Sequence, residues 1–251
     1  MINPIVFVGA GPGATDLLTV RALRKIQNAE VLLWTDSLIS PEIAELASQS
    51  CEKIKTSHLT LEKISSLLIS KYKSGKKIVR LHDGDPCLFG AISEQIKILS
   101  NENIPVEVVP GISAYQAAAA INKTELTIPG LTQTIILSRA PGRTGTPSNE
   151  SLEKLASIGS SICLYLSARH VEDAQKSLLK YYPADTPVIV GFRVSWEDGW
   201  TQIIELKDMQ SFSKEKNLIR TTIYIISPAI RPNSGRSNLY NPEYRHLFRN
   251  N

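Results

Sequence analysis

The chain opens with an uninterrupted apolar run, Ile5-Val6-Phe7-Val8, that breaks directly into Gly9-Ala10-Gly11-Pro12-Gly13-Ala14. An apolar run of this length fits a strand buried on both faces. The glycines mark a tight turn, and the stripe Leu17, Leu18, Ala22, Leu23, Ile26 that follows has helical spacing. The same alternation then repeats. Val31–Trp34, Ile78–His82 and Val106–Val109 read as further strands. Leu61, Ile64, Leu67 and Leu68, then Ile92, Ile96 and Leu99, then the Ala-rich stretch 113–121 read as helices. Strands alternating with helices predict an α/β layer architecture with a mostly parallel sheet.

The alternation breaks over residues 122–133, which carry Pro129-Gly130 and few long apolar runs. A domain boundary is expected there, with an N-terminal α/β domain at 1–121, a linker at 122–133 and a C-terminal α/β domain at 134–229. Strands are expected at 134–138, 162–166, 187–192, 201–206 and 222–227. Only short helical patterns separate the last three, which predicts a second sheet of mixed sense. The stretch 230–251 is polar, holds Pro232, Gly235 and Pro242, and reads as a C-terminal tail.

Composition narrows the function. At 42% apolar and 21% charged residues over 251 positions, the chain has material for a real core. A net charge of +4 is spread along it, with no basic run interleaved with aromatics, so no nucleic-acid partner is expected. No segment approaches the ~20 apolar residues that span a bilayer, and the N-terminus lacks the pattern of a signal peptide. A cytoplasmic protein without a membrane partner is expected. Cys51, Cys87 and Cys163 are far apart and read as small apolar residues in a reduced compartment. The four histidines lack metal-ligand spacing, so no metal site is expected.

The glycine loop has two readings. Formally it matches the dinucleotide fingerprint G-x-G-x-x-G/A, with Asp36 placed where an acid would hold a ribose. Against this, Pro12 contributes no N–H to a pyrophosphate cradle. Asp16, expected in the first turn of the next helix, would repel a phosphate.

Four segments in register carry a more specific resemblance. They are Val8–Gly13 with Asp16-Leu17 and Thr19, Asp83-Gly84-Asp85-Pro86-Cys87-Leu88-Phe89-Gly90, Val108-Val109-Pro110-Gly111-Ile112-Ser113, and Leu126-Thr127-Ile128-Pro129-Gly130-Leu131-Thr132-Gln133-Thr134. Their order and spacing resemble the tetrapyrrole methylases, a family of S-adenosylmethionine (SAM) dependent enzymes, from Ile5 to about Ala229. Trp34–Ser40, the run through Thr134, and Leu239–Arg249 resemble the branch that methylates C11 of precorrin-4 or cobalt-precorrin-4 in cobalamin synthesis. The second loop departs from several relatives, which carry two glycines where this chain has Asp83-Gly84.

The resemblance implies two α/β domains with SAM held folded in a cleft between them and S-adenosylhomocysteine released as product. It implies cofactor contacts at Pro12, Asp83, Gly84, Asp85, Leu88, Ser113 and Ala114, and in the second domain at Leu166, Val194 and Thr222. Asp36 aligns with an acid implicated in a relative and is the candidate base; the alternative is a turn cap. A substrate with several carboxylates needs arginines. Arg139 and Arg143 are the first candidates, ahead of Arg80, Arg169 and Arg193. A homodimer is implied as well. Other readings are a sister methylase acting on uroporphyrinogen-III or another ring carbon, a dinucleotide-dependent oxidoreductase, and a corrinoid-binding protein without catalysis.

Overall fold

A computed structural model describes residues 3–142 and 145–231, together with Ser237, Asn241 and Arg245. Most of the expected C-terminal tail therefore lies outside the described residues, as does Arg143. The chain divides into two compact units, Met1–Ala117 with Arg193–Trp200, and Ala118–Phe192 with Thr201–Asn251.

The first unit holds β1 (Ile5–Gly9), α1 (Val20–Gln27), β2 (Val31–Trp34), α2 (Pro41–Glu45), β3 (Glu52–Lys55), α3 (Leu61–Lys73), β4 (Ile78–His82), α4 (Ile92–Asn101) and β5 (Val106–Val109). The strands form one sheet in the order β3-β2-β4-β1-β5, and every pair is parallel. The apolar runs are continuous because both faces are covered. Val6, Val8, Leu32, Trp34, Val79 and Leu81 pack with Ala22 and Ile26 of α1 and Ile43 of α2. Ile5, Phe7, Val31, Leu33 and Ile78 point the other way, onto Ile64 and Leu68 of α3 and Leu99 of α4. The division between the units falls inside α5 (Ala114–Ile121).

Two features differ from expectation here. Strand β3 went unread because Glu52-Lys53-Ile54-Lys55 carries one apolar residue; it is an edge strand, where charged side chains are tolerated and block further pairing. Asp16 does not lie in α1. It sits in a short 3₁₀ turn, Thr15–Leu17, and α1 begins three residues later, capped by Thr19, whose hydroxyl accepts from the Ala22 N–H.

The second unit holds β6 (Ile135–Arg139), α6 (Leu152–Ala156), β7 (Ser161–Tyr165), α7 (Val171–Leu178), β8 (Pro187–Phe192), β9 (Trp200–Glu205), α8 (Met209–Glu215) and β10 (Thr222–Ile226). Its sheet runs β6-β7-β10-β8-β9 and is mixed, with β6 and β7 parallel and β10 antiparallel to both β7 and β8. The expected boundaries hold to within one residue. The expected linear division puts 193–200 in the second domain, whereas these residues pack with the first unit.

Residues between α5 and β6 are tied down by a relay of hydroxyls. The Ala229 N–H donates to Ser227 Oγ, Ser227 and Ser161 share a hydrogen bond of 2.6 Å, and Ser161 Oγ donates to the Leu126 carbonyl at 2.7 Å. Ser161 and Ser227 are fully buried. Ser161→Ala leaves the Leu126 carbonyl without this donor, so urea unfolding is expected to show a loss of about 1–3 kcal/mol. A loss under ~0.5 kcal/mol would mean that water replaces the hydroxyl there.

Candidate functional site

In a parallel sheet, ligands bind outside the carboxyl ends of the strands, where neighbouring strands send their chains to opposite faces. One such point lies between β1 and β4. The chain leaving β1 turns toward α1 and the chain leaving β4 toward α4, which cover opposite faces. Glycine lets the loops meet there. Gly11 and Gly84 form an isolated two-way bridge, N–H to carbonyl at 3.2 and 2.9 Å, both with positive φ (69° and 58°). A Cβ on Gly9 would lie 2.5 Å from the Gly111 nitrogen and 2.7 Å from the Gly84 carbonyl oxygen. A Cβ on Gly111 would lie 2.9 Å from Gly9 Cα and closer still to the Gly84 oxygen. The loops after β1, β4 and β5 are thus in backbone contact.

Asp85 reinforces the junction. One carboxylate oxygen accepts the Cys87 N–H at 2.8 Å, and the other accepts the Gly111 N–H at 2.9 Å across to the β5 loop. Ser113 immediately precedes α5, and its N–H donates to Gln116 Oε1 three residues on. Phe89 and Ala91 hold φ of 55° and 48°, in the left-handed region, as the chain turns from this loop into α4.

Arg80 and His82 are buried under the edge, while Asp36 and Asp83 keep exposed surface. Arg80 is 5% exposed and donates to Thr56 Oγ1 at 2.9 Å and Thr35 Oγ1 at 3.2 Å, while its Nε has no partner. Burial lowers its pKa to about 10, against a raising influence from Asp83. Asp83 keeps solvent-accessible surface, yet the protein around its carboxyl pushes its pKa up, opposed by its own backbone N–H and by Arg80. Asp36 accepts the Ser57 N–H at 3.3 Å and is held below the usual Asp range, first by the Ser57 hydroxyl and also by Lys55. His82 lies against Phe7, with ring centroids 5.4 Å apart, and burial lowers its pKa to about 3.

The first unit therefore brings Pro12, Asp36, Asp83, Gly84, Asp85, Leu88, Ser113 and Ala114 to one sheet edge, each just past the end of a strand. Buried Val194 belongs to the segment 193–200 that packs with the same unit. The second sheet gathers the rest at one of its own ends. Arg139 pairs with Tyr165, next to Leu166, and the antiparallel register Tyr224↔Leu164 sets Thr222 level with Leu166. Leu166 is 67% exposed with a φ of 52°, an unusual combination for an apolar residue. Arg139 donates to the Gly145 carbonyl.

Two sequence readings need correcting. Arg80, a secondary candidate for substrate carboxylates, is enclosed and bound to threonines rather than displayed to a ligand. Cys87 is exposed, while Cys51 and Cys163 are buried as expected. Of the segment Arg193–Trp200, sequence reasoning named Arg193 and Val194 but missed Ser195 and Trp196, whose partners lie far away in the chain.

The loop is also poorly suited to a pyrophosphate. The Ala10 N–H donates to the His82 carbonyl at 2.7 Å, the Gly11 N–H to Gly84, and the Ala14 N–H to Ser195 Oγ at 3.0 Å; Pro12 has none. α1 begins only at Val20, so the turn does not open directly into that helix's N-terminus. Among the described residues no cluster of His, Cys, Asp and Glu could hold a metal ion, and no helix is long and apolar enough to cross a membrane.

Glycine-pinned loops bearing carboxylates meet at the carboxyl edge of this parallel sheet, an arrangement poorly matched to a dinucleotide. Residues 4–209 match the family model of Tetrapyrrole (Corrin/Porphyrin) Methylases, and the chain belongs to that family. It is 36% identical to a cobalt-precorrin-4 C(11)-methyltransferase of Priestia megaterium, over 98% of this chain and 97% of the relative. It is 38% identical to a precorrin-4 C(11)-methyltransferase of Pseudomonas aeruginosa, over 98% of each. A solved cobalt precorrin-4 methyltransferase superposes with a TM-score of 0.87 at 36% identity, over 91% of this chain and 96% of that one. A Thermus thermophilus uroporphyrin-III C-methyl transferase complexed with S-adenyl homocysteine gives 0.76 at 25% identity, over 91% and 99%.

Two predictions follow from the geometry. Gly111→Ala drives a Cβ into the Gly84 carbonyl, so a loss of about 1–3 kcal/mol in denaturant unfolding is expected. Gly75→Ala, where no atom lies within 4 Å and only φ is unfavourable, is expected to lose about 1 kcal/mol. Equal losses would show that crowding at Gly111 is relieved by movement.

The second concerns pH. His82 is neutral in the fold, with a pKa of about 3 against about 6.5 unfolded, so below pH 6.5 the unfolded chain binds the extra proton. Its stabilising contribution is complete above pH 6.5 and falls as pH drops toward 3. Between pH 7.5 and 5.5 it should fall by about 1.4 kcal/mol. His82→Gln should flatten the unfolding free energy by that amount over this range; an unchanged slope would place the titration elsewhere.

Proposed function

We propose that the chain is a SAM-dependent C-methyltransferase acting on C11 of precorrin-4 or cobalt-precorrin-4 in cobalamin biosynthesis. The observation that carries this reading is the character of the first sheet's edge. Its loops bear Asp16, Asp36, Asp83 and Asp85, Arg80 is buried beneath them, and the loop N–H groups at Ala10, Gly11 and Ala14 are already engaged. Such an edge suits a ligand with positive charge and a neutral nucleoside, and disfavours a pyrophosphate. The names of the full-length relatives supply the substrate.

SAM would supply an electrophilic methyl on a sulfonium, and the rest is positioning, which can be worth ~7–11 kcal/mol. In this reading Pro12, Asp83, Gly84, Leu88, Ser113 and Ala114 line the cofactor, joined by Leu166, Val194 and Thr222. Asp85 acts by holding the β4 and β5 loops together, since both its oxygens already accept backbone N–H groups. Arg139 and Arg143 bind substrate carboxylates. Asp36 is a weak base as it stands, with its pKa held low; its part is to accept a proton from the ring after the carbon–methyl bond forms. A homodimer is part of the proposal, to be tested by light scattering.

Calorimetric titration with S-adenosylhomocysteine, NAD and NADP tests the cofactor. Binding of S-adenosylhomocysteine alone is expected, weakened at least ~10-fold in Asp85→Ala, because freeing two N–H groups unties the loops. Binding of a nicotinamide cofactor alone would overturn the reading. Incubation of the enzyme with methyl-labelled SAM and precorrin-4 or cobalt-precorrin-4 should place one labelled methyl at C11 by carbon NMR. Label on another ring carbon would make this a sister methylase.

A further inference from the structure

The segment between β8 and β9 leaves its own sheet to pack on the first unit, and its contacts converge on one turn. Trp196 Nε1 donates to the Pro12 carbonyl at 3.1 Å, and Ser195 Oγ accepts the Ala14 N–H at 3.0 Å. These are the two peptide groups on either side of Gly13, so both peptide planes of the turn are fixed from outside. The indole also fills the space a side chain at Gly13 would need. A Cβ there would lie 2.8 Å from Trp196 Nε1 and closer to Cδ1.

The segment is itself braced. The Trp196 N–H donates to the Arg193 carbonyl at 2.9 Å, and the Gly199 N–H to the Trp196 carbonyl at 3.0 Å. The Arg193 guanidinium lies over the Trp196 ring at 5.0 Å and pairs with Asp198. Arg193 and Ser195 hold φ of 43° and 65°, left-handed backbone that non-glycine residues adopt only when surrounding contacts impose it. Neither hydrogen bond is needed to build a strand or helix. Their combined effect is to set where Pro12 points.

We propose that Ser195 and Trp196 are positioning residues for SAM: they orient the Pro12-Gly13-Ala14 turn from the β8–β9 segment, and cofactor affinity depends on that clamp. This inference rests on the proposed SAM-dependent reading. No methyl-transfer step is assigned to either side chain.

The test uses Ser195→Gly and Trp196→Phe in the full chain. Glycine accepts the left-handed φ at 195, so the first variant removes the hydroxyl while relieving backbone strain. Its melting temperature should match or exceed wild type. In each variant the Kd for S-adenosylhomocysteine and the KM for SAM should rise roughly 3- to 10-fold, the usual effect of one hydrogen bond. The kcat at saturating SAM and the KM for the tetrapyrrole should stay within about twofold.

If wild type binds S-adenosylhomocysteine and both variants bind it equally well, the clamp is refuted while the methyltransferase reading stands. A fall in kcat that tracks a lowered melting temperature, with the KM for SAM unchanged, also refutes it, since that is the signature of a structural role. No binding by wild type would remove the proposed function and this inference together.

Discussion

Everything at the site rests on backbone meeting backbone at Gly9, Gly84 and Gly111. Three neighbouring strands end in loops that approach too closely for a Cβ at Gly9 or Gly111. The Gly11–Gly84 bridge then continues the pairing of β1 and β4 beyond the sheet in the antiparallel sense, which turns the two chains across each other. Asp85 locks the third loop to this pair through the Gly111 N–H. The carboxyl edge is consequently a frame of joined backbone, and Asp16 and Asp83 are among the residues it leaves exposed.

The sheet order was not legible in the sequence, but its layers were. Ile5–Val8, Val31–Trp34 and Val106–Val109 announce strands covered on both faces because every residue in them is apolar or flanked by apolar neighbours. Glu52–Lys55 announces nothing, because an edge strand needs only backbone hydrogen bonds and its side chains can be charged. Asp16 looked helical because the apolar stripe begins at Leu17. The true start is set by Thr19, whose cap outweighs the periodicity before it.

At the site, residues just past strand ends were readable, since the end of a strand and the glycines that follow fix where a side chain is delivered. Pro12, Asp83, Asp85 and Ser113 all fall in that class. The direction of a carboxylate was not readable. Asp85 as a ligand for SAM and Asp85 as a cap for its own loop give the same sequence, and only the two N–H contacts show that the carboxylate is engaged with backbone. Long-range partners were out of reach for the same reason. Nothing in Ser195-Trp196 signals that these side chains grip a turn more than 180 residues earlier.

The two sheets differ in the charge they display at the ends where these residues gather, and the difference fits the proposed chemistry. The first offers Asp36, Asp83 and Asp85 and keeps Arg80 enclosed; the second offers Arg139 at the end of β6 and exposed Arg169 just after β7. A sulfonium and a polycarboxylate make opposite demands, and one surface of one sign would serve only one of them. Burying Arg80 under threonines resolves what would otherwise be a conflict at the acidic edge. Its charge still opposes the rise in the pKa of Asp83 while its guanidinium stays bound to threonines. Arg80 thereby favours the ionised form of the Asp83 carboxyl from within the fold.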